Sequence, residues 1–148
     1  MSNASAVPFK TTLLVRDRCL CLHAQRAARA LARRFDDALR PLDLTNGQFS
    51  LMMALNRPEP PAIGAVASLL AMDRTTLTAA LKPLERRGLV KVTLHPADRR
   101  SRLLRLTVAG SALLAQAVPI WESTHAEVET LLKGADPDQL RESLRALS

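Results

Sequence analysis

Residues 73–106 have the sequence DRTTLTAALKPLERRGLVKVTLHPADRRSRLLRL, which joins one helical pattern to two strand patterns. Asp73 is a favourable N-cap for a helix predicted over Arg74 to Arg87, and Gly88 is a favourable residue for its end. One side of this helix is apolar because leucines recur at three- and four-residue spacing: Leu77, Leu81 and Leu84. The stretch therefore predicts an amphipathic helix with its polar side turned outward.

Two runs of alternating apolar and polar residues follow the glycine, at positions 89–94 and 102–106. A period of two is typical of a half-buried strand. The polar residues 95–101 between the runs are predicted to form the turn of a β-hairpin. The tip of this hairpin is basic, because three arginines crowd around Asp98: Arg99, Arg100 and Arg102.

The sequence before this stretch is helical in pattern. Apolar spacing predicts a long first helix over about Leu13 to Leu39, which Pro41 ends. A second helix is predicted to begin at the capping box formed by Thr45 and Gln48. A short third helix is predicted over about 63–70.

The sequence after the hairpin is helical as well. Thr107 is predicted to cap a long helix that reaches about Lys133 and is interrupted by Pro119. Asp136 is predicted to cap a last helix. With no repeat and no long linker, the pattern predicts one domain over 13–148, mainly α with a small hairpin, after a flexible N-terminus at 1–12.

Composition places the chain in a broad class. Its 148 residues are 47% hydrophobic, and the mean hydropathy is near zero, so a folded domain is expected rather than a disordered chain. The longest apolar stretch falls far short of the roughly 18 residues that a membrane span needs. We also expect no secretory signal, and hence a cytoplasmic protein with no membrane association.

Charge points to a polyanionic partner. The net charge is +7, and it is concentrated in residues 73–105, whereas residues 106–148 carry more acidic than basic side chains. The chain has three Phe, one Trp and no Tyr, which disfavours recognition of single strands by stacking of bases on aromatic rings. Double-stranded DNA, held through phosphates and groove edges, fits the composition better.

A helix, a tight turn, a second helix and a hairpin in this order predict a winged helix-turn-helix. The N-terminal residues of its second helix are the ones that reach base edges in the major groove. These candidate DNA-binding residues are Arg74, Thr75, Thr76 and Thr78. Lys82 lies further along the helix, where contact with the phosphate backbone is favoured.

The hairpin tip supplies a second set of candidate DNA-binding residues. An arginine inserted into the minor groove reads its width and its negative potential. The candidates are Asp98, Arg99, Arg100 and Arg102, with Asp98 expected to hold a guanidinium by a forked hydrogen-bonded pair. A solvated basic turn with a local Asp–Arg contact is the alternative interpretation.

The chain resembles the MarR-type winged-helix transcriptional regulators. Several segments carry the resemblance: residues 72–78 (MDRTTLT), 84–90 (LERRGLV), 98–100 (DRR) and 104–110 (LRLTVAG), the last two matching the family's wing signature. The resemblance implies a homodimeric regulator, usually a repressor, that binds a pseudo-palindromic operator. It implies a DNA-binding lobe at 45–107 and dimerisation helices at 13–40 and 108–148, with Arg100 as the wing arginine and Asp98 as its supporting acid.

The two cysteines, Cys19 and Cys21, raise a separate question. Two positions apart in an intact helix, they point to roughly opposite sides, which disfavours a shared metal ion and a disulfide. Cys21 flanks the apolar side and is interpreted either as a small core residue or as a reactive thiol. In the hydroperoxide-sensing branch of the family, the resemblance implies that the cysteine at about this position is the reactive thiol. That branch uses tyrosines beside its cysteine, whereas this chain has no Tyr.

Other function classes are weighed against this hypothesis. No phosphate-binding loop or hydrolase motif is found, so we expect no enzymatic activity, no cofactor and no metal. A winged-helix module that binds RNA or protein remains an alternative. The resemblance also implies release from DNA by a small aromatic or anionic effector, for which Arg16, His23, Arg26 and Trp121 are unassigned candidates. The operator, the regulated genes and the direction of regulation are left open.

Overall fold

The structure, a computed structural model, describes residues 6–148. Residues 1–5, which belong to the predicted flexible N-terminus, lie outside the described residues. The described residues form seven α-helices, one 3-10 turn and a two-stranded antiparallel sheet. This agrees with the prediction of a mainly α fold with one β-hairpin. In chain order these are α1 Phe9–Arg18, α2 Leu20–Leu39, the 3-10 turn Arg40–Leu42, α3 Asn46–Leu55, α4 Ile63–Leu69, α5 Arg74–Arg86, β1 Val90–His95, β2 Asp98–Leu106, α6 Val108–Thr130 and α7 Pro137–Ala146.

Side-chain caps fix the start of four helices at the predicted residues. In α3, the Gln48 N–H donates to the Thr45 hydroxyl at 3.1 Å, and the Thr45 N–H donates to the Gln48 side-chain oxygen at 3.0 Å. This reciprocal pair is the predicted capping box. The four capping residues are Thr45, Asp73, Thr107 and Asp136. Local sequence therefore determines where these helices begin.

The hydrophobic core lies directly beneath α5. The three predicted leucines, Leu77, Leu81 and Leu84, are all buried, and they belong to one cluster with Met52 of α3 and Leu104 of β2. Among the described residues, no polar or charged side chain is buried. The apolar side of α5 is thus fixed inward, which leaves the opposite side at the surface.

The first helical segment differs from the prediction of one helix over 13–39. It begins earlier, at Phe9, so that residues 9–12 are helical, and it breaks at Cys19 into α1 and α2. Cys19 has extended backbone angles (φ −69°, ψ 109°), and its Sγ accepts the N–H of Leu22 at 3.4 Å. Cys19 therefore caps α2. The residue pattern misses the break because neither proline nor glycine marks it.

The hairpin is longer than predicted, and its turn is shorter. The two strands close with His95 opposite Asp98, which leaves a two-residue turn. The predicted turn at 95–101 is therefore wrong in extent. The polar residues 99–101 belong to β2, where they form an irregularity that an alternation pattern does not reveal.

Gly110, in the first turn of α6, provides a test of how tightly α5, the sheet and α6 are joined. A Cβ added there would lie 2.1 Å from the Leu89 carbonyl oxygen and 3.3 Å from a Leu106 methyl carbon. Because the first of these is backbone, the Gly110→Ala variant has to shift the junction after α5. We expect it to lower the free energy of unfolding by about 3 kcal/mol, measured by urea denaturation.

Gly64 of α4 is the matched control, because nothing lies within 4 Å of a Cβ added there. Gly64→Ala should leave the free energy of unfolding unchanged or raise it slightly, since alanine favours a helix over glycine. Equal stability of the two variants would contradict the tight junction.

Candidate nucleic-acid interface

The turn between α4 and α5 sets the angle between these two helices. α4 ends at Leu69, and Ala71 adopts a left-handed φ of 51°. The Met72 N–H then donates to the Ala67 carbonyl at 2.9 Å, which satisfies an acceptor at the end of α4. With Asp73 starting α5, the segment forms a helix-turn-helix that the hairpin follows directly.

The first turns of α5 lie at the protein surface. The five predicted DNA-binding residues of this helix are all exposed: Arg74, Thr75, Thr76, Thr78 and Lys82. They are held outward because the leucine side of the helix is buried. The structure thus brings them together on one accessible helix, as the pattern predicts, while their contact with DNA stays a prediction.

Two threonine hydroxyls on this helix already donate within the protein. The Thr76 hydroxyl donates to an Asp73 carboxylate oxygen at 2.7 Å, and the Thr78 hydroxyl donates to the Arg74 carbonyl at 2.8 Å. A hydroxyl has one proton to donate and two lone pairs to accept with. Both therefore present acceptors outward. The Thr75 hydroxyl makes no hydrogen bond to the residues that the structure describes.

The Asp73 carboxylate orders this first turn. The Thr76 backbone N–H donates to it at 2.8 Å, and this bond, together with the Thr76 hydroxyl, holds the pKa of Asp73 below its usual value of 3.8. Asp73 is therefore ionised at neutral pH. Its capping contribution is present above the ordinary pKa of 3.8 and is lost as the pH falls through the lowered pKa.

Asp98 does not form the predicted forked pair with an arginine. Its carboxylate accepts the backbone N–H of Arg100 at 2.9 Å, and within residues 6–148 no ion pair involves Asp98. The physical reason is local, because an aspartate readily accepts an amide two residues further along. Asp98 therefore shapes the backbone of the tip rather than a guanidinium.

The three arginines at the hairpin tip and Arg74 at the start of α5 divide into two pairs. Arg74 donates to the Arg100 carbonyl at 3.0 Å, and the half-buried Arg102 donates to the carbonyls of Arg99 and Ser101, both at 3.1 Å. The guanidiniums of Arg99 and Arg100 are exposed and make no hydrogen bond within the described part of the chain. These two side chains are free to contact a partner.

A groove of about 390 Å³ separates α5 from the hairpin. Its charged lining residues are Arg74, Lys82, Glu85, Arg99, Arg100 and Arg102. Five cations face one carboxylate, so the groove carries a positive potential that attracts phosphate. The charge block seen in the sequence is thereby concentrated on one surface.

Arg87, at the end of α5, has a contact that sequence reasoning missed. Its guanidinium donates to the carbonyl of Asp43 at 2.6 Å and to that of Leu42 at 3.4 Å. A local pattern holds no signal for this contact, because the acceptors lie more than forty positions earlier in the chain. Arg87 thus ties α5 to the turn that follows α2.

The four candidate effector residues do not line a common cavity. His23 and Arg26 face an open groove along α2, and Arg16 pairs with Asp17 at 2.7 Å. Trp121 lines a different cavity of about 450 Å³, which is otherwise apolar apart from one serine. Within one chain, therefore, these four residues do not line a single cavity, and an effector site built from them stays a prediction.

Two general features of the described residues are relevant to function. No helix in 6–148 combines the length and apolarity that crossing a membrane requires. The same residues contain no group of three or more His, Cys, Asp or Glu side chains placed to hold a metal ion.

A helix-turn-helix whose second helix is exposed beside a basic hairpin defines a winged-helix DNA-binding lobe. Residues 44–101 match the sequence profile of the MarR family. The transcriptional regulator HosA of Escherichia coli O111:H- is 36% identical over 107 residues, which are 71% of this chain and 78% of HosA. The chain belongs to the MarR family, and the resemblance inferred from the sequence is confirmed.

Two further comparisons agree with this assignment. The crystal structure of the M. tuberculosis transcriptional regulator MosR in complex with DNA superposes on this chain with a TM-score of 0.80. The two sequences are 37% identical, and the match covers 88% of this chain and 93% of the MosR chain. The organic hydroperoxide resistance transcriptional regulator of Bacillus subtilis (strain 168) is 30% identical over 101 residues, 68% of this chain and 69% of that protein. The predicted winged-helix fold is confirmed.

Proposed function

We propose that this protein is a transcriptional regulator that binds double-stranded DNA sequence-specifically as a homodimer and has no enzymatic activity. The observation that carries the proposal is the exposed start of α5 beside the free guanidiniums of Arg99 and Arg100. An α-helix fits the major groove, and a basic wing fits the adjacent minor groove. MosR, which is 37% identical, was crystallised in complex with DNA, and this supports DNA as the partner.

The threonines of α5 favour particular bases. Since the hydroxyls of Thr76 and Thr78 donate internally, they meet DNA as acceptors. In the major groove, the donors are the amino groups of adenine and cytosine. We therefore expect adenine or cytosine opposite these two side chains in each half-site.

A protein that occupies such a site within a promoter excludes RNA polymerase. Repression of transcription is therefore the output that we propose.

The first test uses duplexes selected from a randomised pool by the wild-type protein. Arg100→Ala should weaken binding to the selected duplex by about tenfold or more, with a shallower dependence of affinity on salt. Thr76→Ala should instead change the preferred base at one position of each half-site. Both effects are measured by titration and by repeating the selection with each variant.

Arg57→Ala is the matched control, because Arg57 is an exposed arginine between α3 and α4 that neither lines the groove beside α5 nor belongs to the helices assigned to dimerisation. It removes the same charge and should leave both affinity and base preference unchanged. Selection of no common sequence, with equal binding to all duplexes, would argue instead for a non-specific or RNA-binding module.

The homodimer is proposed from the two ends of the chain. Within residues 9–18 and 137–146, no side chain is buried, although α7 carries a leucine stripe: Leu140, Leu144 and Leu147. Leu144 is 48% exposed. A short helix with an exposed apolar stripe needs a packing partner, and a second copy would also place two α5 helices on one duplex. The assignment of 13–40 and 108–148 to dimerisation rests on this argument.

Leu144→Asp should shift the protein from dimer to monomer in sedimentation velocity, because a charge would be buried in the interface. Gln139→Asp is its control, since Gln139 is an exposed residue of α7 that lies about 100° around the helix from Leu140, and the change adds the same charge. A wild-type protein that sediments as a monomer, or equal dimerisation of both variants, would argue against this interface.

The Trp121 cavity is the place we propose for an effector. The Trp121 ring stacks on His125 at 4.8 Å and on Phe49 at 6.4 Å between ring centres. Because no cationic side chain lines this cavity, an aromatic effector suits it better than a simple anion. An effector that changes the spacing of the two α5 helices weakens both half-site contacts together.

A second candidate function is sensing of hydroperoxides through Cys21. The Cys21 thiol is exposed, so it is not the core residue that one interpretation of the sequence expected, and Gln25 donates to its Sγ at 3.2 Å. The resemblance implies tyrosines beside the cysteine of the hydroperoxide-sensing branch, whereas in this chain a glutamine amide donates to the thiol. Because α2 begins only after Cys19, the helical argument that separates the two thiols does not apply. The Bacillus relative, named for organic hydroperoxide resistance, supports this alternative.

In the proposed step, the Cys21 sulfur attacks the O–O bond of a hydroperoxide, giving a sulfenic acid and releasing an alcohol. Cumene hydroperoxide should then release the wild-type protein and Cys19→Ser from DNA, while Cys21→Ser stays bound. Fluorescence anisotropy of a labelled duplex measures the release. Equal release of Cys21→Ser would eliminate this candidate.

A further inference from the structure

The tip of the hairpin contains three residues without partners in the opposite strand. Leu94 pairs with Arg102, and the next residue of β1, His95, pairs with Asp98. One step along β1 therefore corresponds to four steps along β2. We call the three extra residues, 99–101, the wing bulge. None of these three residues has a partner in β1, so the register of the hairpin does not hold them in place.

Arginine side chains bond to the backbone carbonyls of these three residues. The carbonyl of each residue in the wing bulge accepts a guanidinium N–H, from Arg102 at positions 99 and 101 and from Arg74 at position 100. The Arg102 bonds are local to the strand. The Arg74 bond at 3.0 Å joins the bulge to the first residue of α5, and among the described residues no other hydrogen bond links these two elements.

We propose that Arg74 is a positioning residue, which holds the wing bulge against the start of α5 so that Arg99 and Arg100 meet the minor groove when α5 enters the major groove. The inference rests on the proposed DNA-binding function. It reassigns Arg74, one of the predicted DNA-contacting residues, from reading DNA to ordering the side chains that do so.

The physical reason is that two DNA contacts act together only when their spacing is fixed. A bulge of three unpaired residues has many accessible conformations, and restricting it on DNA would cost entropy with every binding event. The Arg74 guanidinium, on a rigid helix, restricts the wing bulge before DNA is bound. The acceptor is a backbone carbonyl, so the Arg74 bond survives replacement of the Arg100 side chain.

This last property allows a clean test with the selected duplex. Arg74→Ala should raise the Kd by about tenfold in the wild-type background, because it releases the bulge. In a background that carries both Arg99→Ala and Arg100→Ala, neither of the two free guanidiniums remains to be positioned, so the same change should cost less than about twofold. Lys82→Ala is the control, since Lys82 has no bond to the bulge and should cost the same factor in both backgrounds.

A measurement on the free protein separates this inference from the proposed function. NMR order parameters of amides 99–101 should fall from about 0.85 to below about 0.6 in Arg74→Ala, while those of residues 76–84 in α5 stay unchanged. This readout keeps its meaning even if no duplex is bound. An equal loss of affinity in both backgrounds, or an unaltered bulge in the free variant, would overturn the role of Arg74.

Discussion

Burial of one side of α5 is the constraint on which the surface of this protein depends. Leu77, Leu81 and Leu84 are almost completely inaccessible, and they join residues of α3 and β2 in the core. Burying three leucines contributes on the order of 5–9 kcal/mol before entropy is counted. A rotation of α5 about its axis would forfeit that burial. The outward direction of Thr75, Thr76 and the other polar residues therefore follows from packing on the opposite side.

Features that depend on neighbouring residues could be predicted from the sequence, and those that depend on distant ones could not. The caps at Thr45 and Asp73 are local, because donor and acceptor lie three residues apart. The break at Cys19 has no such signal, since a cysteine rarely caps a helix. The wing bulge is missed for a related reason. Its stability depends on Arg74, which is distant in sequence, and strand alternation carries no record of that contact.

The arginines of the candidate interface have two different roles. A count of positive charges treats Arg74, Arg99, Arg100 and Arg102 alike, and the sequence alone predicts all four as DNA-binding residues. In the structure, the guanidiniums of Arg74 and Arg102 satisfy backbone carbonyls, while the other two are unengaged within residues 6–148. Five donors in a planar fork make arginine suitable for the first use, in which lysine would serve less well.

The junction between α2 and α3 connects α2 to α5, the helix that carries the candidate interface. The Asp36 carboxylate accepts both the backbone and the side-chain N–H groups of Asn46, at 2.7 and 2.8 Å, and these bonds lower the pKa of Asp36. Arg87 holds the Asp43 carbonyl at the other side of the same turn. α2 is therefore bonded to the start of α3 and, through the turn, to the end of α5. A displacement of α2 therefore breaks these bonds unless the start of α3 and the end of α5 move with it.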